Sequence, residues 1–204
     1  MSKNRLEAFS DGVFAIATTL LVLGISVPQG GVESDHELAM LLAGMIPSIL
    51  TFVFTFLVVG VFWVAHHRIF NLTRSVDNVL LWQNVFYLLT VAIIPFPAAI
   101  LARHPFFRTA ILFYAVVLLV VASQHFLLLR HIYRKTELRQ PFFTREVYRI
   151  ARMTASVGPA CYLAAAAIST ISPLASFVFV LAALFFYIVL SNRIRAFERV
   201  GSTG

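Results

Sequence analysis

Long stretches without a charged residue alternate with short charged segments along the chain. The uncharged stretches cover residues 12–32, 38–65, 78–102, 109–129 and 153–192. A membrane-spanning helix needs about 20 mainly apolar residues, so each of the first four stretches predicts one span. The fifth is long enough for two spans, with a break expected near residues 169–173, where Pro173 follows hydroxyl side chains. The pattern therefore predicts a single domain over residues 1–204 with six transmembrane helices.

Two boundaries carry further local signals. Pro95 and Pro97 stand near the end of the third stretch and predict a kink or stop there, because proline cannot donate the helical hydrogen bond. The fifth helix is expected to begin early, within residues 144–152, since its basic side chains can reach the interface while their stems stay apolar.

Composition supports an all-α integral membrane protein. The chain is 60% hydrophobic and only 12% charged, whereas soluble domains are about 25% charged. Its net charge of +7 comes from basic residues that flank the apolar stretches and form no continuous patch with interleaved aromatic side chains, which argues against a nucleic-acid partner. Cys161 is the only cysteine, so neither an internal disulfide nor a thiolate metal cluster is expected.

The basic residues also predict the orientation in the membrane. With six spans both termini lie on one side, and 14 of the 16 lysines and arginines fall on that side, against only Arg103 and Arg108 on the other. Cytoplasmic loops carry the excess of positive charge. We therefore expect a multi-pass plasma-membrane protein with both termini cytoplasmic and the acidic loop at residues 33–37 outside.

The first stretch combines an apolar stripe with a carboxylate. At about 100° per residue, Ile16, Leu20 and Leu23 share one narrow face, with Thr19 at its edge. Asp11 lies about 140° from Ile16 on the same wheel. A carboxylate at the mouth of a span is costly unless it is paired or hydrated, so Asp11 is expected to need a donor from another helix.

Three motifs resemble those of one family, the endolysosomal potassium channel known as transmembrane protein 175 and its prokaryotic homologues. They are Arg5-x-x-x-Phe9-Ser10-Asp11-Gly12, Phe62-Trp63-x-x-His66-His67-Arg68 and Trp82-x-Asn84. The resemblance covers the first three predicted helices, while the last three match in number and hydrophobicity only. The single six-helix repeat is similar to the prokaryotic form.

That resemblance implies a homotetramer in which four copies of the first helix surround a pore that conducts K⁺. It implies that Ile16 forms the main constriction and takes part in selectivity, with Thr19, Leu20 and Leu23 also lining the pore. Arg5, Phe9, Ser10, Asp11, His66, His67, Arg68, Trp82 and Asn84 would form the structural motif and interhelix polar network. The partners of Asp11 are expected among His66, His67, Arg68 and Asn84.

The residues by themselves leave other functions open. An apolar stripe is also what ordinary helix packing produces, so a structural membrane protein fits it. A secondary transporter fits six spans, although such proteins place polar groups and broken helices near the midplane. His66 and His67 are adjacent and point about 100° apart, which argues against a shared metal ion. No enzyme motif, cofactor site, carbonyl selectivity filter or arginine-repeat voltage sensor is found in the sequence.

Overall fold

The structure, a computed structural model, describes residues 2–26 and 31–201, with side chains as far as residue 187. Met1, residues 27–30 within the first uncharged stretch, and the last three residues lie outside the described part. The helices are α1 (Lys3–Leu20), a 3₁₀ turn (Leu21–Gly24), α2 (Asp35–Gly44), α3 (Ile46–Asn71), α4 (Asn78–Ile93), α5 (Pro95–Arg103), α6 (Arg108–Arg134), α7 (Arg145–Ser169) and α8 (Pro173–Gly201).

Four helical segments of the described chain are long and apolar enough to cross a membrane. They are Lys3–Gly24, Ile46–Asn71, Asn78–Arg103 and Arg108–Arg134. α7 begins with charged residues, and the apolar part of α8 described with side chains, Pro173–Tyr187, is shorter than a span. The prediction of an all-α membrane protein is confirmed, while the prediction of six spans stays a prediction.

Proline marks the helix breaks. α4 ends at Ile93 and α5 begins at Pro95, where the sequence predicts a kink. α8 begins at Pro173, within the predicted break. The Thr144 hydroxyl accepts from the Val147 amide and caps α7, which begins at Arg145 as expected.

Two boundaries differ from the uncharged stretches. α1 begins at Lys3, because its charged first turns form a helix that continues into the apolar part. The second stretch is divided: α2 ends at Gly44 and α3 begins at Ile46, next to Pro47 in the first turn of α3. Hydropathy alone does not separate two apolar helices that follow each other directly.

The helices pack around α4 and α6. α6 contacts α4, α5 and α7, and α1 packs against α3 and α4. α7 in turn contacts α8. The largest buried side chains include Leu6, Phe70, Leu80, Tyr87, Leu118, Leu128 and Phe143. α1 is therefore seated on the bundle along one side only, which leaves its other side open.

Two connections pair with each other at one end of the bundle. The segment between α3 and α4 bonds to the segment between α6 and α7 through the amide of Arg74 to the carbonyl of Leu138, 2.6 Å, and the amide of Gln140 to the carbonyl of Leu72, 2.9 Å. The Ser75 hydroxyl also donates to the Glu137 carbonyl at 2.6 Å. These bonds fix the end of α3 relative to the end of α6.

Asp77 strengthens the same end of the bundle. Its carboxylate caps α4 by accepting from the Leu80 amide at 2.7 Å, and it lies 3.1 Å from His131 Nε2 on α6. Partial burial opposes ionisation of Asp77, but the Leu80 amide, His131 and the charge of Lys135 together outweigh it and lower the pKa of the carboxyl. The ionised form of Asp77 therefore stabilises the folded state.

We predict that Asp77→Asn removes an acid-sensitive part of the stability. Asparagine keeps an oxygen for the cap but cannot ionise. Because the folded-state pKa lies below the unfolded one, the contribution is present above about pH 4 and is lost as the pH falls through the folded value. Apparent unfolding temperatures in detergent, measured from neutral to acid pH, should show the wild type above the variant and the two converging in acid.

Thr144→Ala is the matched control, since it removes a neutral cap from α7. Its loss, typically about 1 kcal/mol, should not depend on pH. Parallel curves for the wild type and Asp77→Asn across the whole pH range would contradict the role given to the Asp77 charge.

Candidate pore-lining face and its polar support

The first helix has one buried and one exposed side. Its buried positions repeat every three or four residues and are Leu6, Ser10, Phe14 and Ala17, followed by Leu21 in the 3₁₀ turn. Ile16 is 61% exposed, Leu20 44% and Leu23 74%. The stripe predicted from the helical wheel is thus directed away from the bundle of this subunit.

Thr19 lies on the same exposed side. Its hydroxyl donates to the carbonyl of Ile16 at 2.9 Å, within the helix. The hydroxyl proton is therefore satisfied, while the exposed oxygen can still accept from water. A threonine in this position adds a weakly polar edge to an otherwise aliphatic face.

A chain of buried hydrogen bonds joins α1, α3 and α4. His66 Nε2 lies 2.8 Å from Asn84 Oδ1, and Asn84 Nδ2 donates to Ser10 Oγ at 3.0 Å. Ser10 in turn donates to the carbonyl of Leu6 at 2.8 Å. Ser10 and Asn84 are fully buried, and His66 is 2% exposed.

The direction of this chain fixes the protonation of the imidazole. Asn84 uses its amino group toward Ser10, so its carbonyl oxygen faces His66 and must accept. His66 therefore carries a proton on Nε2. Each group in the chain has a defined role as donor or acceptor, which specifies the rotation of α1 against the other two helices.

Aromatic rings enclose His66. Tyr87 stacks on it with ring planes 7° apart and centroids 5.4 Å apart, while Phe14 and Phe70 lie at 5.6 Å and 4.5 Å. The Tyr87 hydroxyl donates to the carbonyl of Phe62 at 3.4 Å. No sequence motif pointed to Tyr87, although it lies three residues after Asn84 and therefore on the same face of α4.

Asp11 has its donor on α3, but the residue differs from those predicted. The indole Nε1 of Trp63 donates to Asp11 Oδ1 at 2.8 Å. Trp63 also stacks on His67, with ring centroids 6.2 Å apart. The predicted partners His66 and Asn84 instead bond to each other, because both lie inside the bundle whereas Asp11 is exposed.

The remaining motif residues lie at the edge of this arrangement. Phe9 is 54% and Trp82 57% exposed, and Arg5 is also exposed. His67 Nε2 lies 3.2 Å from Asn71 Nδ2 on its own helix, and Arg68 is in the last turn of α3. Their predicted part in the network stays a prediction. In the described part of the chain, no three histidine, cysteine or acidic side chains are grouped to hold a metal ion.

The fold and the site define a helical, multi-span membrane protein whose first span keeps an apolar face open. The sequence profile of the family described as "Endosomal/lysosomal potassium channel TMEM175" matches residues 5–95. A potassium channel of Chamaesiphon minutus is 41% identical over 172 residues, which cover 82% of this chain and 84% of that protein. A potassium channel of Streptomyces collinus is 36% identical over 162 residues, or 78% of each chain.

The fold agrees with a solved structure. The crystal structure of a lysosomal potassium-selective channel TMEM175 homolog from Chamaesiphon minutus matches with a TM-score of 0.82 at 35% identity, covering 93% of this chain and 98% of that one. The chain therefore belongs to the TMEM175 family, which confirms the resemblance carried by the motifs. The relatives are named as ion channels, and the family is not one of enzymes.

We predict that Asp11→Ala destabilises the assembly while Asp11→Asn is tolerated. The alanine variant removes the acceptor of the Trp63 indole, and because both residues are exposed, water replaces part of the bond and the loss is about 0.5–1.5 kcal/mol. Asparagine keeps an oxygen at the same place. Size-exclusion chromatography and the apparent unfolding temperature, with and without each substitution, measure the effect. A stable Asp11→Ala protein whose only change is its ion selectivity would contradict a structural role.

Proposed function

We propose that the protein is a potassium-conducting cation channel in the plasma membrane. It is a homotetramer of one six-span domain, residues 1–204, and the first helix of each subunit lines the central pore. The proposal rests on the exposed apolar face of α1. It agrees with the names of the relatives, which are potassium channels. No cofactor is required, and the permeant ion is K⁺.

The shape of α1 supports its place at a symmetry axis. Its inner side is filled by contacts with α3 and α4, so only the outer side remains for neighbouring subunits and the pore. Exposed apolar side chains continue along that side from Phe9 to Leu23. A Cβ added at Gly12 would meet no atom within 4 Å, which leaves room for a second copy of the helix close to its backbone.

The constriction is proposed to act by dehydration. Four copies of Ile16 at the axis form an aliphatic ring that cannot replace the water removed from an ion. K⁺ loses its hydration shell more easily than Na⁺, so the ring favours K⁺ without carbonyl ligands. A narrow apolar ring also excludes water when it closes, which provides a gate. Leu20 and Leu23 extend the apolar lining, and Thr19 adds a hydroxyl edge.

The buried polar chain supports the ring. His66, Asn84 and Ser10 hold α1 in one rotation relative to α3 and α4. A rotation of α1 by one residue step, about 100°, would turn Ile16 away from the axis. The network is therefore proposed to keep Ile16 directed toward the axis.

Orientation follows the distribution of basic residues. Fourteen of the 16 lysines and arginines lie on the side proposed to be cytoplasmic, together with both termini. Asp11, Trp63 and Asn84 are then near the cytoplasmic ends of their helices, and the acidic loop that includes Glu37 is at the outer mouth.

We predict larger currents and weaker discrimination for Ile16→Asn. Four amides at the neck hydrate the constriction and offer oxygen atoms to Na⁺. Currents in reconstituted bilayers should rise about tenfold or more, because removing about 1.4 kcal/mol from a barrier changes a rate tenfold. The reversal potential under K⁺/Na⁺ bi-ionic conditions should move toward zero, and Leu20→Asn and Leu23→Asn should show smaller shifts.

Ala15→Asn is the matched control, since Ala15 is exposed at nearly the same depth but points about 100° away from Ile16. It should leave the reversal potential unchanged. Native mass spectrometry should give a tetramer for the wild type and both variants. A well-assembled Ile16→Asn tetramer with an unshifted reversal potential would remove Ile16 from the selectivity element, and a monomer would overturn the pore. Flux that requires a second ion gradient would indicate a secondary transporter instead.

A further inference from the structure

Two tyrosine rings stack between α6 and α7 at the end of a candidate membrane span. The rings of Tyr133 and Tyr148 are nearly parallel, with planes 3° apart and centroids 3.8 Å apart. Phe143 contacts both rings edge-on, at 5.6 Å and 6.2 Å. Tyr133 is one residue before the end of the candidate span Arg108–Arg134, which places the stack at the level of the lipid headgroups. Tyrosine is enriched at that level, because its ring is apolar and its hydroxyl is polar.

Two arginines lie against this stack. The guanidinium carbon of Arg139 is 5.2 Å from the centroid of the Tyr133 ring, and that of Arg152 is 6.0 Å from the centroid of the Tyr148 ring. Arg139 Nη1 also donates to the carbonyl of Tyr133 at 3.3 Å. A cation–π contact uses no N–H group, so the other guanidinium donors remain available to an anion. The rings therefore orient two cationic side chains before any ligand binds.

Helical spacing brings two further arginines to the same place. Arg130 lies three residues before Tyr133 on α6, and Arg145 lies three residues before Tyr148 on α7. Residues three apart on a helix are neighbours, so each arginine is adjacent to its ring. Both are exposed. The four side chains are called the arginine cluster below: Arg130, Arg139, Arg145 and Arg152.

The positive charge of the arginine cluster is not balanced by the protein. Residues 130–152 contain seven lysines and arginines but only two acidic residues, both glutamates. One of these, Glu146, forms its ion pair with Arg149 at 3.8 Å, outside the cluster. Within the described part of the chain, no member of the cluster has an ion pair with a carboxylate. Like charges held together repel each other, so an anion that binds between them is stabilised.

The exposed faces that carry the arginines become apolar along the helices. On α6, Leu127 and Val116 lie within about 60° of Arg130 on the helical wheel, and they are 42% and 54% exposed. On α7, Leu163 lies within about 20° of Arg152 and is 57% exposed. A phosphate site that continues into an exposed apolar surface has the shape of a phospholipid, with a charged headgroup followed by acyl chains. A free phosphate ion would use only the first part.

We propose that the arginine cluster binds the headgroup phosphate of an anionic phospholipid, whose acyl chains lie along the apolar faces of α6 and α7. Arginine is suited to this ligand, because its planar guanidinium forms two parallel hydrogen bonds to phosphate oxygens. A headgroup with a net negative charge is preferred over a zwitterionic one, which would bring a second cation to an already positive surface.

The lipid site goes beyond the proposed channel activity and does not depend on it. α7 packs on α6 and α8, whereas α1 packs on α3 and α4. The arginine cluster and the proposed pore are therefore on different helices. A failure of lipid binding leaves the test of Ile16 unchanged, and a failure of conduction leaves the lipid test unchanged.

Native mass spectrometry of the purified protein with added lipid measures the binding. Phosphatidylglycerol is the anionic probe, and phosphatidylcholine with the same acyl chains is the zwitterionic one. Glycerophosphate is the free headgroup without acyl chains. We expect saturable binding of phosphatidylglycerol, half-saturation by phosphatidylcholine at about tenfold higher concentration, and no competition by glycerophosphate at concentrations that saturate with the lipid.

A pair of double variants separates the cluster from net charge. Arg130→Gln with Arg145→Gln removes two exposed charges of the cluster, and the affinity for phosphatidylglycerol should fall about 25-fold, since each basic residue near an anionic surface contributes about fivefold. Arg103→Gln with Arg108→Gln is the matched control. It removes two exposed charges near the opposite end of α6 and should leave the affinity unchanged.

A second pair keeps the charge constant. Arg152→Lys retains the cation but loses the planar group over Tyr148, so the affinity should fall about fivefold. Arg134→Lys makes the same exchange at an exposed position that has no ring contact in the described part of the chain, and should bind like the wild type. Without lipid, the apparent unfolding temperatures should agree with the wild type. With phosphatidylglycerol, they should rise less in the two cluster variants than in the two controls.

Several results would overturn the proposal. Equal affinity for the two lipids, or the same loss in both double variants, would show that this cluster does not select an anionic headgroup. Competition by glycerophosphate at the concentration of the lipid would indicate a site for free phosphate. Equal affinities of Arg152→Lys and Arg134→Lys would remove the tyrosine stack from the site, and a lack of saturation would show partition into the lipid or detergent phase only.

Discussion

The fold depends on satisfying a small set of polar groups that are buried between apolar helices. Ser10, Asn84 and His66 come from three different helices, and each is at most 2% exposed. The apolar side chains around them offer no hydrogen bond, so His66 pairs with Asn84, Asn84 donates to Ser10, and Ser10 donates to the Leu6 carbonyl of its own helix. The resulting chain of donors and acceptors has one direction only. Hydrophobic packing holds the three helices together, but this chain decides how they are rotated.

The rotation of α1 has a consequence for function. Once Ser10 faces Asn84, the position six residues later lies on the open side, and Ile16 is therefore exposed while Phe14 and Ala17 are buried. Asp11 stays at the edge and takes the indole of Trp63 as its donor. One buried serine thus places both a carboxylate that contacts α3 and an aliphatic side chain on the open side of α1.

Most of the helices, and the buried and exposed sides of α1, could be predicted from the sequence because both depend on the spacing of apolar residues. The principal helix boundaries followed from the lengths of the uncharged stretches, from Pro95, and from the hydroxyl-rich segment before Pro173. The helical wheel separated Ile16 from Asp11. The donor to Asp11 was missed because the choice between Trp63 and its neighbours depends on how α3 is rotated. A cavity between α3, α6, α7 and α8 could not be predicted for the same reason, because side chains from four helices form it.

The most direct test of the account is whether the Ile16 face meets the permeating ion. In a Cys161→Ser background, Ile16→Cys and Ala15→Cys place single thiols at nearly equal depth on faces about 100° apart. Ag⁺ is a monovalent cation that binds thiolates, so it follows the path of K⁺ and reports where that path passes. The account predicts that micromolar Ag⁺ blocks the current of Ile16→Cys and leaves Ala15→Cys unaffected. Block of Ala15→Cys alone, or of neither variant, would contradict it.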